Sequence, residues 1–349
     1  MVLGQPLSDS RKMIEQVDLL DFTAFGELHA ELAPGLNVFI GENSTGKTHL
    51  MKLLYSALIY ANDVETRSIE QLLMEYFLPD SIGRLVKRSV GRGSGSFSIT
   101  RRDGDEVSRS LKVRLTTQQG VTEEAEDWRT STPLPAVYIP VKDMLANAPG
   151  FLSLYRDHTI HFEGIYPDII SKALYPATRG RRGALQRKLL DFIEQEIGGT
   201  IAIEGEEFYL RSRDGSGNLE FTLLSEGYRK LGLLFCLIQN ERLAEGSILF
   251  WDEPEANLNP KIMGLLVEML YKLVEMGVQI FISTHNSMLT SQIRLREDEG
   301  HTRYHLFQRR ADGEIHYSAH DHLTDMEANP IRQAYDDLLL RQIESELQP

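Results

Sequence analysis

Short apolar runs alternate with longer helical patterns along this chain. Residues 36–40 (LNVFI) form a compact run of strand formers that stops at Gly41. A helical repeat opens near Lys47, with Leu50, Leu53, Leu54 and Leu58 as its apolar positions. Between 84 and 117 the segments GRGSGS and RDGDE supply turns, while SFSIT and SLKVRLT supply strand alternation. The polar stretch 119–133 reads as a loop, and AVYI at 136–139 as another buried strand. Residues 142–200 predict helices, broken by a Gly/Arg-rich segment at 179–183, and 201–223 predict an antiparallel meander turning at RDGSGN. A helix over 226–243, the strand SILFW, a helix over 260–276, the strand VQIFIS and a hairpin, YHLFQRRADGEIHYSA, complete the pattern. Buried parallel-type strands from both ends of the chain, separated by helices, imply an α/β sheet. The middle section would form a helical lid and a β subdomain, being too short and too poor in heptads for coiled-coil arms. Three segments are expected: an N-terminal lobe over 1–140, a helical insertion with β meander over 141–223, and a C-terminal lobe over 224–349.

Composition narrows the class. The 349 residues allow one large domain or two modest ones, and 42% hydrophobic with 25% charged residues is ordinary for a soluble protein. No apolar run approaches the roughly 20 residues that span a bilayer. The start, MVLGQPLSDSRKMIEQ, has no basic segment leading into an apolar one, so no secretory signal is expected. The single cysteine, Cys236, excludes an intramolecular disulfide and lies in the apolar LGLLFCLI as a small core residue. Together these features predict a cytoplasmic protein with no membrane partner. A net charge of −14 disfavours binding to nucleic acid without a local basic surface. Two basic stretches exist: Arg84, Lys87, Arg88, Arg92, Arg101, Arg102, Arg109, Lys112 and Arg114; and Arg179, Arg181, Arg182, Arg187 and Lys188. Each reads either as a solvated face balancing acidic neighbours or as a patch for DNA, RNA or an acidic partner.

Four elements carry chemistry. Gly41-Glu42-Asn43-Ser44-Thr45-Gly46-Lys47-Thr48 fits G-x-x-x-x-G-K-[ST] between a predicted strand and a predicted helix. Its glycines let the backbone turn around an anion, so that loop N–H groups and the helix N-terminus face the phosphates of ATP. Lys47 would reach the β- and γ-phosphates and Thr48 would place its hydroxyl on Mg²⁺. The apolar strand 248–251 ends in Asp252 and Glu253. Strand alternation aims the two carboxylates differently, Asp252 toward the Mg²⁺ shell and Glu253 toward the attacking water. LSEGYRK at 224–230 offers Ser225 as an N-cap and, with Gly227, a second anion-ready helix start. His285 follows the buried strand VQIFIST, at the end where α/β sheets bind ligands, and would sense the γ-phosphate. His301, His305, His316, His320 and His322 crowd the tail; His316, His320 and His322 have spacings open to a metal, though the segment reads as an exposed hairpin.

With these elements in this order, the chain resembles the ABC-type ATPase heads of the SMC, RecF and OLD-like class. The opening LLDFTAFGELHAELAPGLNVFIGENSTGKT looks like that class's strand pair and phosphate loop, with Ser44 where a third glycine is common. DEPEANLNP at 252–260, STHNSML at 283–289 and the final NPIRQAYDDLLL resemble the bacterial OLD-like branch. The resemblance covers most of the chain, strongly at 18–60 and 224–290 and weakly at 84–133. LSEGYRK and DEPEANLNP differ from the LSGGQ and DEPTSALD of transporters.

The resemblance implies a P-loop ATPase head with a mixed sheet, an antiparallel β subdomain and a helical lid insertion, acting on ATP with Mg²⁺. It implies a homodimer or higher homo-oligomer in which heads pair head-to-tail. Ser225 and Gly227 would then contact ATP held by the other subunit's Lys47, and Asn257 and Asn259 would line the seam. A Mg²⁺-binding glutamine would be Gln118 or Gln119, or its role would fall to 137–145. About 60 residues follow His285, too few for a Toprim nuclease domain, so a separate effector, nuclease or toxin, is expected. The leading functional expectation is a regulatory ATPase in bacterial antiphage defence. A DNA-repair or chromosome-maintenance ATPase that binds DNA is the alternative. An ATP-gated scaffold without turnover is a third, against which the intact Glu253 argues.

Overall fold

In the computed structural model, residues 12–326 are described apart from 63–66, 89–90, 92, 105–106, 119, 126, 130–132, 179, 181 and 298–300, together with residue 341. The N-terminal elements are β1 (Met13–Phe22), β2 (Phe25–Glu31), β3 (Leu36–Gly41), α1 (Lys47–Asn62), α2 (Ile69–Phe77), β4 (Ser94–Arg102), β5 (Ser108–Thr116), β6 (Gly120–Glu124) and β7 (Ala136–Ile139). The middle holds α3 (Phe151–Arg156), α4 (Ile165–Leu174), α5 (Ala184–Ile197), β8 (Gly199–Glu204), β9 (Glu207–Ser212) and β10 (Asn218–Glu220). The last third holds α6 (Glu226–Gln239), β11 (Ile248–Asp252), α7 (Met263–Glu275), β12 (Gln279–Thr284), α8 (Ser287–Arg294), β13 (Arg303–Arg309) and β14 (Ile315–His320).

The central sheet has six strands in the order β14-β13-β3-β12-β11-β7. Its pairs are parallel except β13–β14, so it is mixed. Strands covered on both faces must be apolar on both, which explains the unbroken runs LNVFI, ILFW and QIFI. Leu36, Val38, Ile40, Leu249, Trp251, Ile280 and Ile282 join a core with α5, α6 and α7. Phe39, Phe250 and Phe281 face the other way, into a core with α1, α2 and the antiparallel sheet β2-β1-β4-β5-β6. There Phe250 and Phe281 stack at 4.9 Å, and Phe39 meets Phe281 at 5.9 Å. α1 is buried on every side, from Leu50 to Ala61, which marks an interior helix.

Polar staples join the two sheets. Gln279 of β12, fully enclosed, accepts from the Ile14 N–H at 2.9 Å and donates to the Ile14 and Ala33 carbonyls at 2.9 Å. Asn37 of β3 exchanges hydrogen bonds with the Ala33 backbone at 2.8 and 2.9 Å.

Two expectations are corrected. Residues 120–124, read as loop, form β6, the edge strand of the antiparallel sheet; exposed on both faces, it has no apolar alternation to betray it. The helix expected to run to 243 ends at Gln239, where Asn240 turns away to donate to the Lys172 carbonyl at 2.8 Å.

Gln279→Leu tests the staples. It leaves the buried backbone groups of Ile14 short of a partner, the Ala33 carbonyl keeping Asn37, at about 1–3 kcal/mol for each group left unsatisfied. Urea unfolding should show a clearly lower midpoint with unchanged secondary structure. An unshifted midpoint would mean that the staple contributes nothing.

Candidate functional site

Parallel register brings the sequence motifs to one sheet edge. Ile40 pairs with Thr284 and Asp252 with Ser283, so β3, β12 and β11 end side by side. The phosphate loop, the acidic pair and His285 all leave from those ends.

The loop is tightly built. A Cβ on Gly41 would lie 2.4 Å from the Phe307 carbonyl oxygen, so the position takes only glycine. Gly46 has φ +95°, and a Cβ there would meet the Phe25 ring at 2.5 Å. Ser44 also lies in the left-handed region, at φ +64°. That explains why glycine is common at this position and puts the strain of the serine at about 1 kcal/mol. Thr45 Oγ1 donates to the Glu42 carbonyl at 2.8 Å, and the Arg309 guanidinium of β13 donates to the Ser44 carbonyl at 2.6 Å. Arg309 lies more than 260 residues from the loop in sequence, and no motif pointed to it. Glu42, Asn43 and Ser44 are exposed at the loop's rim. Lys47 Nζ donates to the Gly41 and Glu42 carbonyls at 2.7 and 2.8 Å. Burial lowers its pKa below the usual lysine value, opposed by the carboxylates of Glu253, Asp252, Glu255 and Glu42.

The two carboxylates part as alternation requires. Asp252 is buried and accepts from Thr48 Oγ1 at 2.9 and 3.1 Å, from the Tyr138 hydroxyl at 3.2 Å, and from Ser283. Glu253 sits at φ +46°, which swings it off the strand direction, and its Oε1 lies 3.0 Å from His285 Nδ1. Both Glu253 and His285 are partly open to solvent. The Thr48 hydroxyl and Asp252 carboxylate are neighbouring hard oxygen donors, a set that fits Mg²⁺. Among the described residues no three His, Cys, Asp or Glu side chains gather as a metal cage, so phosphates and water would complete its shell. The sequence reading passed over Glu255. It is buried, accepts from Thr284 Oγ1 at 2.5 Å and leaves Oε2 without a partner, and burial raises its pKa.

The signature opens α6, whose Lys230 lies near enough to Glu253 and Glu255 to feel their charge. Ser225 occupies the N-cap position of α6, but its hydroxyl makes no capping bond and stays exposed, which corrects its expected role as a side-chain cap. A Cβ on Gly227 would come within 3.1 Å of Leu258. α6 is fastened to the segment after the acidic pair: Lys230 Nζ donates to the Ala256 carbonyl at 2.6 Å and Asn257 Nδ2 to Glu226 at 3.0 Å. Asn259 caps the following turn, accepting from the Lys261 N–H at 3.0 Å. Arg229 pairs with buried Asp143, just beyond β7. Gln118 lies in the β5–β6 turn of the antiparallel sheet, and Gln119 falls outside the described residues. β7, the start of the third candidate segment, pairs with β11 up to Ile139 and Trp251.

The first basic stretch is partly neutralised. Arg101 is buried against Trp128, 4.8 Å from the ring centre, and shares Asp103 with Arg109 at 3.5 and 2.8 Å. Arg102 pairs with Glu15 at 2.5 Å and Lys87 with Glu314. Lys112 and Arg114 on β5, and Arg187 and Lys188 on α5, are exposed; Arg92, Arg179 and Arg181 lie outside the described residues. The tail histidines are dispersed: His305 is buried against Tyr317 and Asn37, His316 contacts Arg310, His320 contacts Ser318 and His322 contacts Glu297. His301 is exposed, and NPIRQAYDDLLL lies outside the described residues. Among the described residues no helix is long and apolar enough to cross a membrane.

A strand–loop–helix at Lys47, an acidic strand end at Asp252 and an antiparallel sheet capping α1 define an ABC-type ATPase head of the SMC/RecF kind. The family described as "AAA domain, putative AbiEii toxin, Type IV TA system" matches residues 36–291, and the chain belongs to it. The DNA replication and repair protein RecF of Streptococcus uberis is 32% identical over 103 residues, which are 30% of this chain and 25% of that protein. The match thus spans about a quarter of that relative's length. Among solved structures, an SMC head bound to the C-winged helix domain of ScpA has a TM-score of 0.58 at 12% identity, covering 89% of this chain and 99% of that one. An Smc head with an extended coiled coil, bound to the C-terminal domain of ScpA and derived from Pyrococcus furiosus, gives 0.55 at 11%, covering 95% and 100%. At such identities the likeness is one of fold.

The loop geometry separates two glycine questions. Ser44→Gly relieves left-handed strain and should retain nucleotide affinity. Gly46→Ala forces its Cβ into Phe25, at roughly 1–3 kcal/mol of strain, and should lose affinity. Titration with a fluorescent ATP analogue distinguishes them; equal affinity in Gly46→Ala and the parent would refute this picture of the loop.

Proposed function

We propose that two copies of this chain bind ATP and Mg²⁺ head-to-tail, hydrolyse the ATP at the shared sites and thereby regulate a separate effector. The observation that carries this reading is the split between the two halves of the site. Lys47, Thr48, Asp252, Glu253 and His285 converge at one sheet edge, while Ser225, at the start of α6, is exposed and its hydroxyl makes no capping bond. On this reading Gly41, Asn43, Ser44, Thr45, Gly46 and Lys47 cradle the phosphates, and Thr48 and Asp252 hold Mg²⁺. Mg²⁺ supplies charge neutralisation at the β- and γ-phosphates. Glu253 orients the attacking water and accepts its proton. His285, 3.0 Å from Glu253, senses the γ-phosphate. Ser225 and Gly227 close on ATP held by the other copy, with Asn257 and Asn259 near the seam. The exposed Leu223 and Tyr228, flanking Ser225, fit a surface that is covered on dimerisation. The lobes 1–140 and 224–349 form the head, and 141–223 its insertion.

The toxin–antitoxin description of the family supports an effector-linked role, as in antiphage defence with a nuclease or toxin partner. The ion pairs of Lys87, Arg101, Arg102 and Arg109 remove part of the first basic stretch from a DNA-clamping surface. The second reading, a DNA-repair or chromosome-maintenance ATPase, draws support from the RecF relative and from the exposed Lys112, Arg114, Arg187 and Lys188. Both readings suit a cytoplasmic protein.

Glu253→Gln keeps the shape of the side chain and removes the base. It should hydrolyse ATP about 10²–10⁴-fold more slowly and accumulate a dimer in ATP, read by light scattering. Adding Ser225→Arg should leave ATP binding intact and abolish that dimer. A doubly substituted protein that still dimerises in ATP sinks the shared-site mechanism.

The two readings part on nucleic acid. Duplex DNA titrated at two salt concentrations, with and without ATP, should show no binding on the effector reading. Binding that weakens steeply with salt would favour the DNA reading.

A further inference from the structure

We propose that Arg309 is a positioning residue for ATP binding: its guanidinium holds the Ser44–Thr45 peptide in the left-handed turn through which the phosphate loop takes its anion. This rests on the nucleotide-site reading above. Arg309 acts through the loop backbone.

The loop needs such a hold at one place. Between Gly41 and Gly46, Ser44 alone has a left-handed φ, +64°. Glycine adopts that conformation freely, whereas the Cβ of a serine crowds its own carbonyl. Ser44 is exposed, so no packing around its side chain forces the turn. Its carbonyl accepts from Arg309 Nη2 at 2.6 Å, a short charge-assisted bond. A peptide unit is planar, with its carbonyl oxygen and N–H on opposite sides. Drawing the Ser44 carbonyl toward β13 therefore aims the Thr45 N–H the other way, as one of the loop donors offered to the phosphates. The arginine supplies by a bond what a glycine would supply by lacking a Cβ.

Arg309 is itself well placed for this. β13 runs parallel to β3 as far as the pair Phe307–Gly41, where β3 ends and the loop begins. The two strands are pressed together there, since a Cβ on Gly41 would lie 2.4 Å from the Phe307 carbonyl oxygen. Phe307 packs against Phe25 and Phe39 at 5.9 and 5.6 Å. β13 continues two residues farther, to Arg309, its last. From behind, Arg309 Nη1 donates to the Gly313 carbonyl at 3.3 Å. The turn that carries Gly313 is closed by its own bonds, from the Arg310 N–H to the Glu314 carbonyl at 2.8 Å and from the Gly313 N–H to the Arg310 carbonyl at 2.9 Å. Glu314 pairs with Lys87 beside the antiparallel sheet. The turn thus keeps its shape without Arg309, and the arginine is exposed, so its truncation costs the fold little.

The test is a double-mutant cycle on the full chain, read as affinity for the non-hydrolysable analogue AMP-PNP with Mg²⁺ by calorimetry. With Ser44 present, Arg309→Ala should weaken binding about 10-fold, as the loss of a charged hydrogen bond does. In the Ser44→Gly background the same substitution should weaken it less than about 3-fold, because the turn no longer depends on the bond. Melting temperatures should stay close to that of the parent. Arg309→Met, which keeps the length of the side chain and loses its donors, takes the place of alanine if that protein folds poorly. Equal losses in the two backgrounds overturn the proposal, since the arginine would then act by its charge alone or through the hairpin. So does an undiminished affinity in Arg309→Ala. Lys47→Ala separates this from the underlying reading. If it loses binding while Arg309→Ala does not, only the role of Arg309 falls; if it binds like the parent, the phosphate-loop reading falls and this proposal with it.

Discussion

The site is organised around one buried cation. Lys47 is nearly inaccessible to water, yet its ammonium has two loop carbonyls at hydrogen-bond distance and four carboxylates near enough to act on it. A buried charge is tolerable only when so compensated. Compensation here depends on strand register, because Asp252, Glu253 and Glu255 reach Lys47 only if β11, β12 and β3 end level. A slip of one residue would send Asp252 to the opposite face of the sheet. The Phe39, Phe281 and Phe250 contacts fix that register from beneath. Core packing and charge placement are thus one constraint expressed twice.

The same balance says what a nucleotide demands. Against Lys47 the pocket already holds an excess of carboxylates, so a triphosphate brings repulsion as well as attraction. A divalent cation between Asp252 and the phosphates relieves it on one side. On the other, a helix N-terminus would help, and within one chain α6 offers its N-terminus elsewhere. Its N-terminal residues are pinned to the 254–258 segment by Lys230, by Glu226 through Asn257, and by Gly227 against Leu258. On the proposed reading, closure by a second copy would answer that electrostatic demand without rebuilding either subunit.

Much of this was legible in the sequence because the governing residues are local. The phosphate loop, the acidic strand end and His285 each sit within a few residues of a strand whose apolar run announces it, and the structure brings them together at one edge. The central strands, the meander and the tail hairpin were equally visible. What escaped was nonlocal or featureless. Arg309 reaches the phosphate loop through a tertiary contact with Ser44 that no spacing encodes. β6 has Val121 as its one apolar side chain, too little to show strand alternation. α2 did carry a signal: Ser68 and Gln71 form a reciprocal capping box before an apolar run. Charge along the first basic stretch was partly misleading for a physical reason, since Glu15 and Glu314, which pair with Arg102 and Lys87, come from β1 and the β13–β14 turn.

The insertion is tied to both halves of the site. At its start β7 leads into Asp143, which pairs with Arg229 on the signature helix. Farther on, Glu163 holds Lys52 of α1, and Asp168 receives Lys172 and Tyr55. A displacement of α4 therefore acts on α1 beside Thr48, while a displacement of the segment after β7 acts on α6 beside Ser225. On the proposed reading these two surfaces face different nucleotides in a dimer. A partner that holds the insertion in one position would stabilise one nucleotide state over another, by as much as its contacts differ between the two states and no more. ATP binding would shift the partner's affinity by the same factor in return.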